Sequence, residues 1–135
     1  MEKTVEFNGK SVKLKATAAL PRLYRILFSR DIFKDMAPIL KRYQNIKIRS
    51  DADNEENLDV IDQIGDDDLE ILENLTYSMA RAADPEMKQR TALEWLDQFS
   101  STESMALQQQ AFTLWAMDNF SIDESKKKAV LPNGK

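Results

Sequence analysis

The sequence predicts a mainly α fold of the α+β class, with an N-terminal β-hairpin packed on a bundle of about five α-helices. Residues 4–15 alternate apolar and polar side chains about an Asn-Gly pair, which is the hairpin signal. Residues 18–45 and 67–118 instead place apolar side chains at helical spacing. The chain has 135 residues, 42% of them hydrophobic, enough for one modest core and too few for two full domains. Residues 1–128 are therefore expected to form a single domain, with 129–135 as a disordered tail.

In the hairpin, both central residues of a type I′ turn need positive φ, and Asn8-Gly9 suits that need. This turn makes Phe7 face Lys10 and Val5 face Val12. Val5, Phe7, Val12 and Leu14 then share one face, and Thr4, Glu6, Ser11, Lys13 and Lys15 the other. A two-stranded ribbon with one apolar face is only marginally stable alone, so it must lie on helices.

Thr17 is the expected N-cap of the first helix, where an early Pro21 is tolerated and Leu20, Leu23, Tyr24, Leu27 and Phe28 recur at helical spacing. This helix should end near Ser29. Asp31 opens the next stretch, with Ile32, Phe33, Met36, Ile39, Leu40 and Tyr43 on its apolar side and Lys41 and Arg42 favouring its C-terminus. Pro38 should kink that helix or split it in two. Residues 49–57 hold almost nothing to bury and read as an exposed acidic loop.

Capping boxes divide the back half. Asp67 with Glu70 opens a helix carrying Leu69, Leu72, Leu75, Tyr77, Met79, Ala80 and Ala83, which Asp84-Pro85 ends. Thr91 with Glu94 opens a shorter one carrying Leu93, Trp95, Leu96 and Phe99. Ser100 with Glu103 opens the last, with Leu107, Ala111, Leu114 and Trp115 on its face and Met105, Phe112 and Met117 on its flanks.

With no cysteine and no histidine, the chain excludes disulfide frameworks, thiol nucleophiles, Ser-His-Asp triads and zinc sites with nitrogen or sulfur ligands. Asp51-x-Asp53-x-Glu55 begins like a calcium loop, but Glu56 stands at the turn glycine and Asp62 at the bidentate glutamate, so no metal site is assigned. The acids Asp66, Asp67 and Asp68 are better read as helix-start residues than as a catalytic pair. Gly9, Gly65 and Gly134 cannot build a phosphate loop, and no cofactor is expected. No apolar run approaches the ~20 residues of a spanning helix, and the opening residues read as strand rather than signal peptide, so a soluble, intracellular protein is expected.

Charge is unevenly distributed. Residues 1–50 hold 12 Lys/Arg against 4 Asp/Glu, net +8, and residues 51–135 hold 7 against 19, net −12. A basic front could seek nucleic acid, but the tethered acidic back competes for it, so pairing within or between copies is the simpler expectation. Arg22, Tyr24 and Arg25 crowd one short helix, and with Arg30, Asp31, Trp95 and Trp115 they are the candidate partner-binding residues. The two tryptophans also have helical spacing with Leu96, Phe99 and Leu114, which suits a core position better than an exposed one.

Taken in order, Phe7-Asn8-Gly9-Lys10, Thr17 through Pro21-Arg22-x-Tyr24-Arg25, Phe28-x-Arg30-Asp31-Ile32, the Ala80 to Asp84-Pro85 exit, Glu94-Trp95-Leu96-Asp97-Gln98-Phe99, Trp115 and the lysine-rich tail form a spaced series over residues 5–128. In this series the chain resembles the tail assembly chaperones of long-tailed bacteriophages and related prophages of Gram-positive bacteria. It departs at Ser29, where glycine is expected, and in the acidity of the segment near residue 50. The resemblance implies a non-enzymatic protein of the host bacterial cytoplasm. Such a protein binds the tape measure protein, keeps its long helical segments soluble, helps recruit major tail tube protein subunits and is absent from the mature virion. It also implies a longer frameshift product, for which Lys126-Lys127-Lys128 is what an A-rich slippery stretch would encode.

A protein that holds helical clients needs apolar grooves, a charged rim and reversible contacts. Met36, Met79, Met87, Met105 and Met117 are adaptable residues for such grooves, although core filling is the commoner use. The opposed charges of the two halves favour head-to-tail association of copies. Competing readings are a structural head-tail connector and a nucleic-acid-binding regulator using residues 22–42, with an enzyme last.

Overall fold

Antiparallel pairing at the N-terminus follows the expected register. The computed structural model describes residues 1–53 and 66–120, with side chains described for 1–42 and 67–120. Strands β1 (Glu2–Phe7) and β2 (Lys10–Lys15) pair with Val5 opposite Val12 and Phe7 opposite Lys10. Asn8 and Gly9 take φ values of 48° and 76°, the two positive angles a type I′ turn needs. At the open end, the Met1 ammonium donates to the Ala16 carbonyl at 2.8 Å, and the Ala16 N–H donates to Met1 O at 2.8 Å. Val5, Phe7, Val12 and Leu14 turn inward, and Leu14 is fully buried.

Helix α1 spans Leu20–Phe28 and α2 Ile32–Asp53. Thr17 does not cap α1. The helix begins after Ala19, and the Thr17 hydroxyl accepts the Ala19 N–H in the preceding turn at 3.3 Å. Ser29 ends α1 as expected, but by its backbone. It sits in the left-handed region (φ 57°, ψ 37°) and its N–H donates to Arg25 O, the conformation glycine adopts most readily. Asp31 caps α2, its Oδ1 accepting the N–H groups of Phe33 and Lys34 at 2.9 and 3.2 Å.

Two expectations for α2 are corrected. Pro38 does not split the helix, which continues through it. Pro38 withdraws the donor that the Lys34 carbonyl would use, but both residues are exposed, so water can take that place. The helix also passes through the start of the expected acidic loop, to Asp53, since no glycine or proline follows Pro38 until Gly65. Lys41 and Arg42 consequently lie mid-helix, and Arg42 pairs with Asp68 instead of serving a C-terminus. Residues 54–57 of that loop, the rest of the calcium-like pattern and the tail from 121 lie outside the described residues.

Helices α3 (Asp66–Ala83), α4 (Ala92–Leu96) and α5 (Ser101–Phe120) complete the described elements. Asp67 lies within α3 rather than ahead of it as a cap. The other two capping boxes form as expected. Thr91 Oγ1 accepts from Glu94 N and Ser100 Oγ from Glu103 N, both at 3.1 Å, and each glutamate accepts the cap N–H in return.

Helix α3 is the centre of the assembly, packing against β2, α1, α2, α4 and α5, while β1 also meets α5. Its buried Thr76 and Ser78 satisfy their hydroxyls on the carbonyls of Leu72 and Asn74, four residues back. Helix α5 buries Leu107, Gln108, Ala111, Phe112, Leu114, Trp115 and Ala116, most of its circumference, because neighbours enclose it on several sides. The result is the hairpin on a helical bundle that the sequence predicts. No helix among the described residues is long and apolar enough to cross a membrane.

Candidate functional site

The seven candidate residues divide by burial. Tyr24, Trp95 and Trp115 are at most 3% exposed and so present no surface to a partner. Their rings hold the core together. Tyr24 packs on Phe28, Phe28 on Tyr77, Tyr77 on Trp95 and Trp95 on Phe99, with centroids 5.0–6.4 Å apart. Asp31 is occupied in capping α2. Arg22, Arg25 and Arg30 remain on the surface.

Arg30 belongs to a triad that joins α1 to α2. Its Nε and Nη2 reach Asp35 Oδ2 and Oδ1, both at 2.7 Å, and Tyr24 OH donates to Oδ2 at 2.8 Å. The Arg30 fork holds the Asp35 carboxyl below the usual carboxylate range against the opposing effect of burial, and Tyr24 adds to the lowering. Burial, then Asp35, pushes the Tyr24 phenol well above its ordinary value. With every partner engaged, this cluster is a structural joint and holds no spare acid or base. Asp35 has a sequence signal, a carboxylate at position i+3 of the apolar series Ile32, Met36, Ile39, where an ion must find a partner.

A second polar joint has no local signal. Glu103, read from sequence only as a cap, is buried and accepts from Asn8 Nδ2 at 2.6 Å and Lys10 Nζ at 2.9 Å, residues 95 and 93 positions away. Lys10 also donates to Gln98 O at 2.8 Å and lies 5.4 Å from the Phe99 ring centroid. Donation from Asn8, Lys10 and the Ser100 N–H lowers the Glu103 carboxyl to about 2.

Two surface stripes of opposite charge, on α1 and α3, each include an exposed apolar side chain. Arg22, Arg25 and Ile26 lie along the outer side of α1, with Ile26 69% exposed. Leu69, Glu70 and Glu73 lie along α3, where burial and then Glu70 raise the Glu73 carboxyl. Leu69 and Leu93, expected to face inward, are instead 39% and 77% exposed. At Leu93 the helix has only five residues, and Trp95 alone of them is fully buried. Phe33 and Phe120, each about half exposed, lie 6.2 and 5.4 Å from the buried Trp115 ring. Of the methionines named for grooves, Met36, Met79 and Met87 fill the core instead.

Among the described residues, no three acidic side chains gather as a metal cage would require. Compared with family models, curated proteins and solved structures, the chain matches none.

Proposed function

We propose that the chain is a non-enzymatic tail assembly chaperone of a long-tailed bacteriophage or a related prophage. It binds the tape measure protein in the host cytoplasm, keeps it soluble, helps recruit major tail tube protein subunits, and leaves before the virion is complete. The family content rests on the ordered residues of the sequence series. Within the fold, members of that series are joints: Asn8-Gly9 forms the hairpin turn, Arg30 binds Asp35, and Glu94 completes a capping box.

The binding content rests on one observation, the aromatic patch of Phe33 and Phe120 flanking Trp115. Two half-exposed phenyl rings on a rigid buried indole offer a shallow apolar seat for one face of an amphipathic helix. The patch joins the start of α2 to the end of α5, so the folded bundle positions it.

Co-expression with the tape measure protein from the same genome, followed by pull-down and size-exclusion chromatography with light scattering, tests the reading. A soluble complex is expected, lost without this chain and reduced when Phe33 and Phe120 are both changed to serine. An insoluble tape measure protein beside a chain that elutes alone would overturn it. Recovery of the chain in purified virions would favour a head-tail connector instead.

A further inference from the structure

Two helical stripes of opposite charge, each carrying an exposed apolar side chain, are left uncovered on neighbouring elements. On α1, Arg22, Arg25 and Ile26 occupy positions i, i+3 and i+4, a single ridge. Neither arginine has an ion pair among the described residues. On α3, Asp67, Glu70 and Glu73 follow one another at i, i+3 and i+6 as the second stripe, with Leu69 one turn before Glu73 at its edge, and the three carboxylates are likewise without an ion pair there. Asp68, between them in sequence, is already taken by Arg42.

We propose that the α1 stripe of one copy docks on the α3 stripe of a second copy, setting Arg22 and Arg25 against Asp67, Glu70 and Glu73 and burying Ile26 with Leu69. The occupant is a second copy because both halves of the contact are present in one chain, with matching charge and one apolar side chain each. A nucleic acid would satisfy the arginines but leave Ile26 unused and meet the carboxylates close by, since α1 packs on α3. The Glu70–Glu73 pair supports the contact independently. Two carboxylates one turn apart repel each other, a contribution second to burial in raising the Glu73 carboxyl, and arginines from outside relieve that repulsion. Such a contact is reversible and salt-sensitive, as a small interface built mainly on charge must be.

Because only this chain takes part, the contact can be tested apart from any client. The experiment is analytical ultracentrifugation of the full chain over a concentration series, at about 10 mM and about 1 M salt, where charges are screened beyond about 30 Å and about 3 Å. The expected result is association at low salt that weakens at least about tenfold at high salt. Two variants, R22E with R25E and D67K with E70K, should each be monomeric and should re-associate when mixed, because the reversed charges complement one another again. All four positions are exposed, and an unchanged circular dichroism spectrum verifies folding. Ile26→Ser should weaken association without changing its salt dependence. A wild-type chain that stays monomeric at low salt overturns the proposal. So does association that both reversals leave intact, or reversals that fail to rescue one another. DNA binding abolished by R22E with R25E, in a chain that does not self-associate, would assign the α1 stripe to nucleic acid instead.

Discussion

At the scale of single residues, the chain places polar groups where the backbone or the core needs them. Tyr24 and Arg30 both donate to Asp35, so removing the phenol leaves a buried carboxylate short of one donor. Tyr24→Phe should cost about 2 kcal/mol, the usual worth of a hydrogen bond to a charged group, measured as a fall in the urea midpoint at unchanged slope. Ser29 presents the opposite case. Its left-handed backbone costs a side-chain-bearing residue about 1–2 kcal/mol, and glycine avoids that cost while losing about 0.4–1 kcal/mol to a freer unfolded chain. Ser29→Gly should therefore raise stability by about 0.5 kcal/mol, seen as a melting temperature higher by about 2 °C. A lower melting temperature would show that the serine side chain contributes something there that glycine cannot replace.

At the scale of elements, local rules served best where local forces decide. The Asn8-Gly9 turn, the Asp31 cap and the capping boxes at Thr91 and Ser100 were legible because a few adjacent residues satisfy their own backbone groups. At Pro38 the local rules left a kink or a split open, and the split does not occur, because the cost of the proline depends on whether solvent can replace the missing donor. The exposed Lys34 and Pro38 allow that, so the helix bears the loss instead of breaking. Pro38→Ala restores the donor to the Lys34 carbonyl. After discounting the stiffer unfolded chain that proline provides, it should stabilise the protein by about 2 kcal/mol. Equilibrium urea unfolding checks this, and a destabilised variant would mean that Pro38 packs against something its exposure does not suggest. Leu69 and Leu93 were misread for a related reason. Helical spacing finds a face, but which face is covered depends on the neighbours, and α4 is too short to bury more than Trp95 completely.

At the scale of the whole molecule, the chain is closed by contacts that no short window of sequence contains. The hairpin tip reaches residues 98–103 through Asn8, Lys10, Phe7 and Phe99, so the first ten residues are fastened to the last described helix. Glu103 is the shared acceptor and also completes the Ser100 capping box, a role legible from sequence, while its long-range partners were not. Its carboxyl lies at about 2 in the fold against an ordinary 4.5. A depressed folded value means the charged carboxylate stabilises the fold. That contribution is complete above 4.5 and is lost as the pH falls through about 2. Glu103→Gln separates the two roles, since glutamine at the same position can still accept the cap N–H but carries no charge for Lys10. The wild type should thus lose melting temperature steeply between pH 5 and pH 2, whereas the variant should start lower at neutral pH and lose less over the same interval. Thermal melts by circular dichroism across that range measure both slopes. Parallel slopes would place the acid sensitivity elsewhere, with Asp35 the next group to test because its carboxyl is also held low by a cation, Arg30.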